Sequence, residues 1–173
     1  MPALYRVRQF MHAVAAELSG ARVTAPEISQ VLDPGGVALF GAMPRYDRRH
    51  GACVMRTLLQ QGYHDRDLLS AALLHDVGKT ASQEGRLGLR HRVLMVLVRA
   101  VAPGMVERLG TEGGGAWRRV FFVQRHHADL GAELALASGC SQVTAALIGR
   151  HEQAPAPGDD PRLTALRAAD AAN

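Results

Sequence analysis

The stretch "ALLHDVGKT", residues 72–80, carries an apolar run straight into a histidine and an aspartate, with glycine and lysine immediately behind. Leu68, Ala71 and Ala72 precede His75 by seven, four and three positions, and Leu69, Ala72 and Leu73 stand in the same relation to Asp76. This spacing predicts a helix from Arg66 to about Val77, ended by Gly78, with both titratable side chains on or beside its buried face.

Helical spacing recurs on either side, and the period-two alternation of strands is hard to find. Leu4, Val7, Phe10, Met11, Val14 and Leu18 predict a helix over 3–18, and Thr24 with Glu27 forms a capping box for a short helix carrying Ile28, Val31 and Leu32. Asp33, Pro34, Gly35 and Gly36 predict a turn. Helices are expected at Arg48–Gln61, Val93–Val101, Trp117–His127, Leu130–Ala137 and Gln142–Arg150, with a loop at Thr80–Leu89 and a glycine-rich surface loop in "GTEGGGAWRR". Asp160 as N-cap and Pro161 at the first helical position predict a last helix reaching the C-terminal residues. The expected fold class is all-α, a compact helical bundle forming a single domain over 1–173.

Composition sets outer limits. With 173 residues, 47% of them apolar, the chain is long enough to bury a core without disulfides. Cys53 and Cys140 have no CxxC spacing and lie in apolar surroundings, which predicts free buried thiols and a reducing compartment. Arg6, Arg8, Gln9 and His12 interrupt the N-terminal apolar residues, and nothing approaches the roughly 20 apolar residues of a membrane span; no membrane contact and a cytoplasmic location are expected. A net charge of +4 favours phosphate-bearing ligands. The arginines are scattered, as at Arg45, Arg48, Arg49, Arg118, Arg119 and Arg125, with no aromatic interleaving and no reading helix, which argues against nucleic acid. The G-x-x-x-x-G-K-[ST] phosphate loop is absent.

Other polar residues share the apolar stripes. His50 is followed on its face by Cys53, Val54 and Thr57; His127 is preceded by Val120 and Val123, His151 by Leu147 and Ile148, and Asp170 by Leu163 and Leu166. A lone histidine on an apolar face is most often a hydrogen-bonded core residue. A buried carboxylate without a cation is strongly penalised by desolvation, so Asp76 and Asp170 carry more weight. Together they would neutralise divalent cations, and imidazole with carboxylate suits Fe, Mn, Zn or Co.

In order along the chain, His50, then His75 and Asp76 within "AALLHDVGK", His127 in "HHADLGAEL", His151 in "ALIGRHE" and the distant Asp170 resemble the HD-domain superfamily of metal-dependent phosphohydrolases. The resemblance covers roughly 48–171 as the motif-bearing core and implies only variable helices in 1–47. It implies two divalent transition-metal ions, one held by His50, His75, Asp76 and Asp170 and a second by Asp76, His127 and His151, with Asp76 bridging. His126 stands about 100° around its helix from His127 and is the alternative at that position, or a phosphate contact. Arg125 and His126 replace the Gly-His pair common in relatives.

Lys79, past the predicted helix end, is expected to reach a phosphate oxygen or pair with a carboxylate. Arg150, beside His151, is a further candidate for substrate. The implied reaction is hydrolysis of a phosphate ester by metal-activated water, with Asp76 and Lys79 in the catalytic machinery and a small nucleotide-like phosphomonoester or diester as substrate. "EQAPAPGDDP" stands where cyclic-di-GMP enzymes carry G-Y-P, which argues against that substrate. A di-iron oxygenase of the same fold and a noncatalytic or nucleic-acid-binding module are the competing readings.

Overall fold

A computed structural model describes residues 25–81 and 116–173. Among the described residues the chain is all-α: α1 (Ala25–Val31), α2 (Pro34–Ala42), α3 (Arg45–Gln60), α4 (Arg66–Leu74), a 3-10 turn (Val77–Ala81), α5 (Ala116–Ala137), α6 (Gln142–Arg150) and α7 (Pro161–Ala172). The helices expected at 3–18 and Val93–Val101, most of the loop from Thr80 and the glycine run at 113–115 lie outside the described residues. No described helix is long and apolar enough to cross a membrane.

The core is built by α4, whose Leu68, Ala71, Ala72, Leu73 and Leu74 are completely buried, together with Leu58 of α3, Ile148 of α6 and Leu163 and Leu166 of α7. Each of the larger side chains contributes about 1.5–3 kcal/mol of burial. Asp67, in the first turn of α4, accepts hydrogen bonds from Ser141 and Thr144 at the start of α6. The two helices therefore begin side by side and run parallel, and their far ends, at His75 and His151, come together with ring centroids 5.1 Å apart. Helix α7 lies against α3 and α4, and α5 packs on α6 and the 3-10 turn.

Four local expectations are corrected. The turn expected at Asp33–Gly36 is instead the start of α2: Asp33 is the extended N-cap and Pro34 opens the helix, where its missing N–H is no loss. Gly35 is small because a Cβ there would overlap the Ser138 carbonyl oxygen. The helices expected at Trp117–His127 and Leu130–Ala137 form one continuous α5. Its buried face reads Val123, His127, Gly131 and Ala135 at steady intervals of four; His127 and Gly131 supply no apolar side chain, which left an apparent gap in the hydrophobic pattern. Cys53 and Cys140 are free, as expected, but half-buried rather than buried.

The fourth correction bears on the site. Helix α4 ends at Leu74, not near Val77, and Gly78 is no helix cap. The chain turns at His75 and Asp76 and tightens into the 3-10 segment, where the Lys79 N–H donates to the Asp76 carbonyl (3.1 Å) and the Thr80 hydroxyl to that of Val77 (2.6 Å). Gly78 is pressed onto α5: a Cβ there would overlap the His127 carbonyl oxygen and sit 2.7 Å from the Gly131 nitrogen. Gly51 does the same between α3 and α4, since its Cβ would lie 2.7 Å from the Leu73 carbonyl oxygen. Two glycines, one beside His50 and one beside Asp76, thus let backbones meet where the polar residues gather.

Candidate metal centre

His50 comes from α3, His75 and Asp76 from the turn after α4, His127 from the middle of α5, His151 from the end of α6 and Asp170 from the last turns of α7. The fold brings all of them together. His50, His75 and Asp76 form one group able to hold a metal ion, and Asp76, His127 and His151 a second, with the ligand atoms in each within 4.8 Å of one another. Asp170 joins the first group, its Oδ1 2.8 Å from His50 Nε2 and 3.5 Å from His75 Nε2. Edge-on imidazoles connect the two groups in the order His50, His75, His151, His127, with centroids 5.1 to 5.3 Å apart.

Asp76 Oδ1 is the hub. It lies 3.8 Å from His75 Nε2, 3.6 Å from His127 Nε2 and 2.6 Å from Lys79 Nζ. His127 and His75 are at the floor, 0% and 1% exposed, whereas Asp170 at 32% and Lys79 at 24% stand at the mouth.

Backbone carbonyls orient two of the histidine rings. His75 Nδ1 lies 2.9 Å from the Ala72 carbonyl oxygen and His151 Nδ1 2.7 Å from that of Ile148. A carbonyl only accepts, so each Nδ1 carries its proton and donates, leaving Nε2 to face the cluster. His75 Nε2 is buried and makes no hydrogen bond among the described residues. Ligands about 2.1 Å from a common ion stand at most about 4.2 Å apart, so the observed groups need only small side-chain movements to close on one. Nitrogen and carboxylate oxygen donors, with no thiolate, fit a divalent transition metal.

Basic neighbours hold both carboxylates of the cluster in their charged form. Burial alone would raise the Asp76 pKa, but the Lys79 ammonium and the His75, His50 and His127 imidazoles hold it well below the carboxylate range. Asp170 is likewise held far down, burial being outweighed by the hydrogen bond from His50 and by the His75 imidazole beside it. For His75 burial works downward, yet Asp76 and Asp170 prevail and raise it to about 9. His151 drops to about 4, through burial and then the neighbouring His75 charge, so it is neutral at pH 7 with its Nε2 lone pair available. Without a metal, Asp76 and Asp170 face the Lys79 ammonium and a proton on His75, and the buried Asp47 also acts on Lys79; a divalent ion would take the place of the His75 proton.

A pH prediction follows for the chelated protein. The folded pKa of His75, about 9, lies above its ordinary 6.5, so its contribution to stability is complete below pH 6.5 and is lost as pH rises through 9. Denaturant unfolding with chelator present should show stability falling between pH 7 and 9.5, and the fall should be much smaller in His75→Gln. Equal slopes in the two proteins would contradict this proton balance.

Lys79 takes the carboxylate partner that was one of its two expected options, and its own pKa is raised, burial being outweighed by Asp76 and Asp47. His126 is half-buried and packs at a tilt of 33° against Phe122 with centroids 4.5 Å apart, outside both groups. The Arg150 guanidinium is engaged by Asp159 at 2.6 Å. Sequence reasoning missed three further residues. Asp47 is completely buried in the first turn of α3 and acts on Lys79; it lies three positions before His50, on the same face. Glu152, next to His151, comes within 3.8 Å of His127 Nε2. Tyr46 stacks parallel to His50 with centroids 6.5 Å apart.

No protein family, curated protein or solved structure matches the chain.

Proposed function

We propose that the chain is an HD-type phosphohydrolase domain that holds two divalent transition-metal ions and hydrolyses a phosphate ester of a small, nucleotide-like molecule. The observation that carries this reading is the pair of buried ligand groups sharing Asp76, with His75 and His151 already turned to present Nε2. Bound divalent ions would polarise the phosphoryl group and lower the pKa of a neighbouring water. His50, His75, Asp76 and Asp170 hold one ion, and Asp76, His127 and His151 the other.

Lys79 stands at the mouth with its ammonium on Asp76, within reach of the negative charge that a phosphoryl group brings. Arg150 and His126 are weaker candidates for substrate contact, since one already serves Asp159 and the other packs against Phe122. The free thiols of Cys53 and Cys140 favour a cytoplasmic setting.

The test is a panel of phosphomonoesters and phosphodiesters assayed under supplied Mn, Fe, Co and Zn, with elemental analysis alongside. The expected result is metal-stimulated release of phosphate or alcohol that chelation abolishes, at two ions per chain. His127→Ala and His151→Ala should each lower the ion content toward one. A limit of one ion in the wild type would make His127 and His151 substrate contacts instead of ligands. The nitrogen and oxygen donor set suits a pair of irons equally well. Oxygen consumption with a mixed-valent iron signal, and no ester hydrolysis, would favour the oxygenase reading.

A further inference from the structure

His151 is the last ligand before the connection from α6 to α7, and that connection is tied down in an unusual way. Arg167 of α7 donates from Nη2 to the Arg150 carbonyl (3.0 Å) and from Nε to the His151 carbonyl (3.3 Å). These belong to the final carbonyls of α6, which the helix itself leaves without partners; that of Arg150 also accepts the Gln153 N–H (3.0 Å). Its remaining arm, Nη1, meets Asp159 Oδ2 at 2.6 Å, with the two side chains only 12% and 6% exposed. Asp159 also accepts from Arg150 Nη2 (2.6 Å) and from the Ala156 N–H (2.9 Å).

We infer that Arg167, oriented by Asp159, is a positioning residue for the second metal group: it fixes the peptide from which His151 projects and so sets where His151 Nε2 stands. The inference rests on the reading that Asp76, His127 and His151 hold an ion. Two constraints define the ring. Its rotation is set by the Nδ1 bond to the Ile148 carbonyl, and its origin by the guanidinium on the carbonyls of residues 150 and 151. Arg167 stands one helical turn before Asp170, so α7 delivers a ligand to one metal group and a brace to the other. A planar guanidinium serves two carbonyls and a carboxylate at once, which an ammonium on a flexible stem does less well.

The experiment compares wild type, Arg167→Ala and Arg167→Lys in zinc titrations against a competing chelator, with thermal melting of each protein and imidazole NMR of the chelated forms. Wild type should bind two zinc ions. Arg167→Ala should keep the first at wild-type affinity and bind the second at least tenfold more weakly, with Arg167→Lys in between. In the chelated proteins the His151 ring signals should move while those of His50 stay. A merely structural tie would lower the melting temperature and leave the second zinc affinity of the folded protein and the His151 signals unchanged; that result overturns the inference. Should Arg167→Ala fail to fold, Arg167→Lys decides: a second zinc ion bound at least threefold more weakly supports the inference, and wild-type affinity overturns it. A wild type that binds a single zinc ion contradicts the two-ion reading itself and the inference with it, an outcome separable from the others because it needs no variant.

Discussion

Asp76→Asn is expected to empty both metal groups and to lower hydrolysis by more than about 100-fold, beyond what loss of an outer partner of a metal ligand produces. One oxygen, Asp76 Oδ1, faces His75, His127 and Lys79, so the substitution acts on both halves of the cluster at once. The amide keeps the size of the carboxylate and removes its charge. In the metal-free protein it leaves the His75 proton and the Lys79 ammonium short of a counter-charge. Breaking a buried pair costs about 3–5 kcal/mol, and the cost here falls below that range because Lys79 is partly exposed and also feels Asp47. The measurement is ion content and turnover on the folded fraction of the variant. Wild-type occupancy of either group would remove Asp76 as the bridge.

The second large effect is expected from a residue with no side chain. Gly78→Ala should destabilise the fold by about 3 kcal/mol, the upper end of the overpacking range, because the new methyl group meets the His127 carbonyl and the Gly131 nitrogen, both backbone atoms unable to rotate away. The relief available is to move the 3-10 turn off α5, which draws Asp76 away from His127. Stability and the second ion should therefore fall together, while Gly41→Ala, at an exposed α2 position with open space around it, should leave the second ion unchanged and raise stability slightly, by up to about 1 kcal/mol. Denaturant unfolding and metal titration of the two variants check this. A Gly78→Ala protein of wild-type stability would mean that the contact between the turn and α5 is looser than described.

How far the sequence revealed this site depended on the type of signal. Helices α4 and α6 were legible because Leu68, Leu73, Leu147 and Ile148 repeat at helical spacing, and the start of α7 because Asp160 and Pro161 are a strong N-terminal pair; the Asp160 carboxylate does accept the Arg162 N–H. The inward-facing spacing singled out His50, His75, Asp76, His127, His151 and Asp170 one by one, while their grouping was what the family resemblance implied and not something the spacing could give. What escaped was set by backbone approach and by chain ends. Gly78 reads locally as a helix cap, and only the tertiary contact with His127 gives its true role. Gly35 and Gly36 read as a turn although they are the closely packed first residues of α2. Asp47 lies in the first turn of a helix, where acidic residues are ordinary, so its complete burial left no mark on the pattern. The tether that holds Asp170 in place was equally hidden: the Asn173 side chain donates to the Thr57 hydroxyl (2.9 Å) and to the Ala169 carbonyl (2.8 Å), joining the end of α7 to α3.

The central claim, two metal ions sharing Asp76, is tested most directly by a crystal structure of protein loaded with manganese or zinc, with anomalous difference maps collected at the metal's absorption edge. The account predicts two anomalous peaks, one in contact with His50, His75, Asp76 and Asp170, the other with Asp76, His127 and His151. A single peak, or a peak away from Asp76, would contradict it.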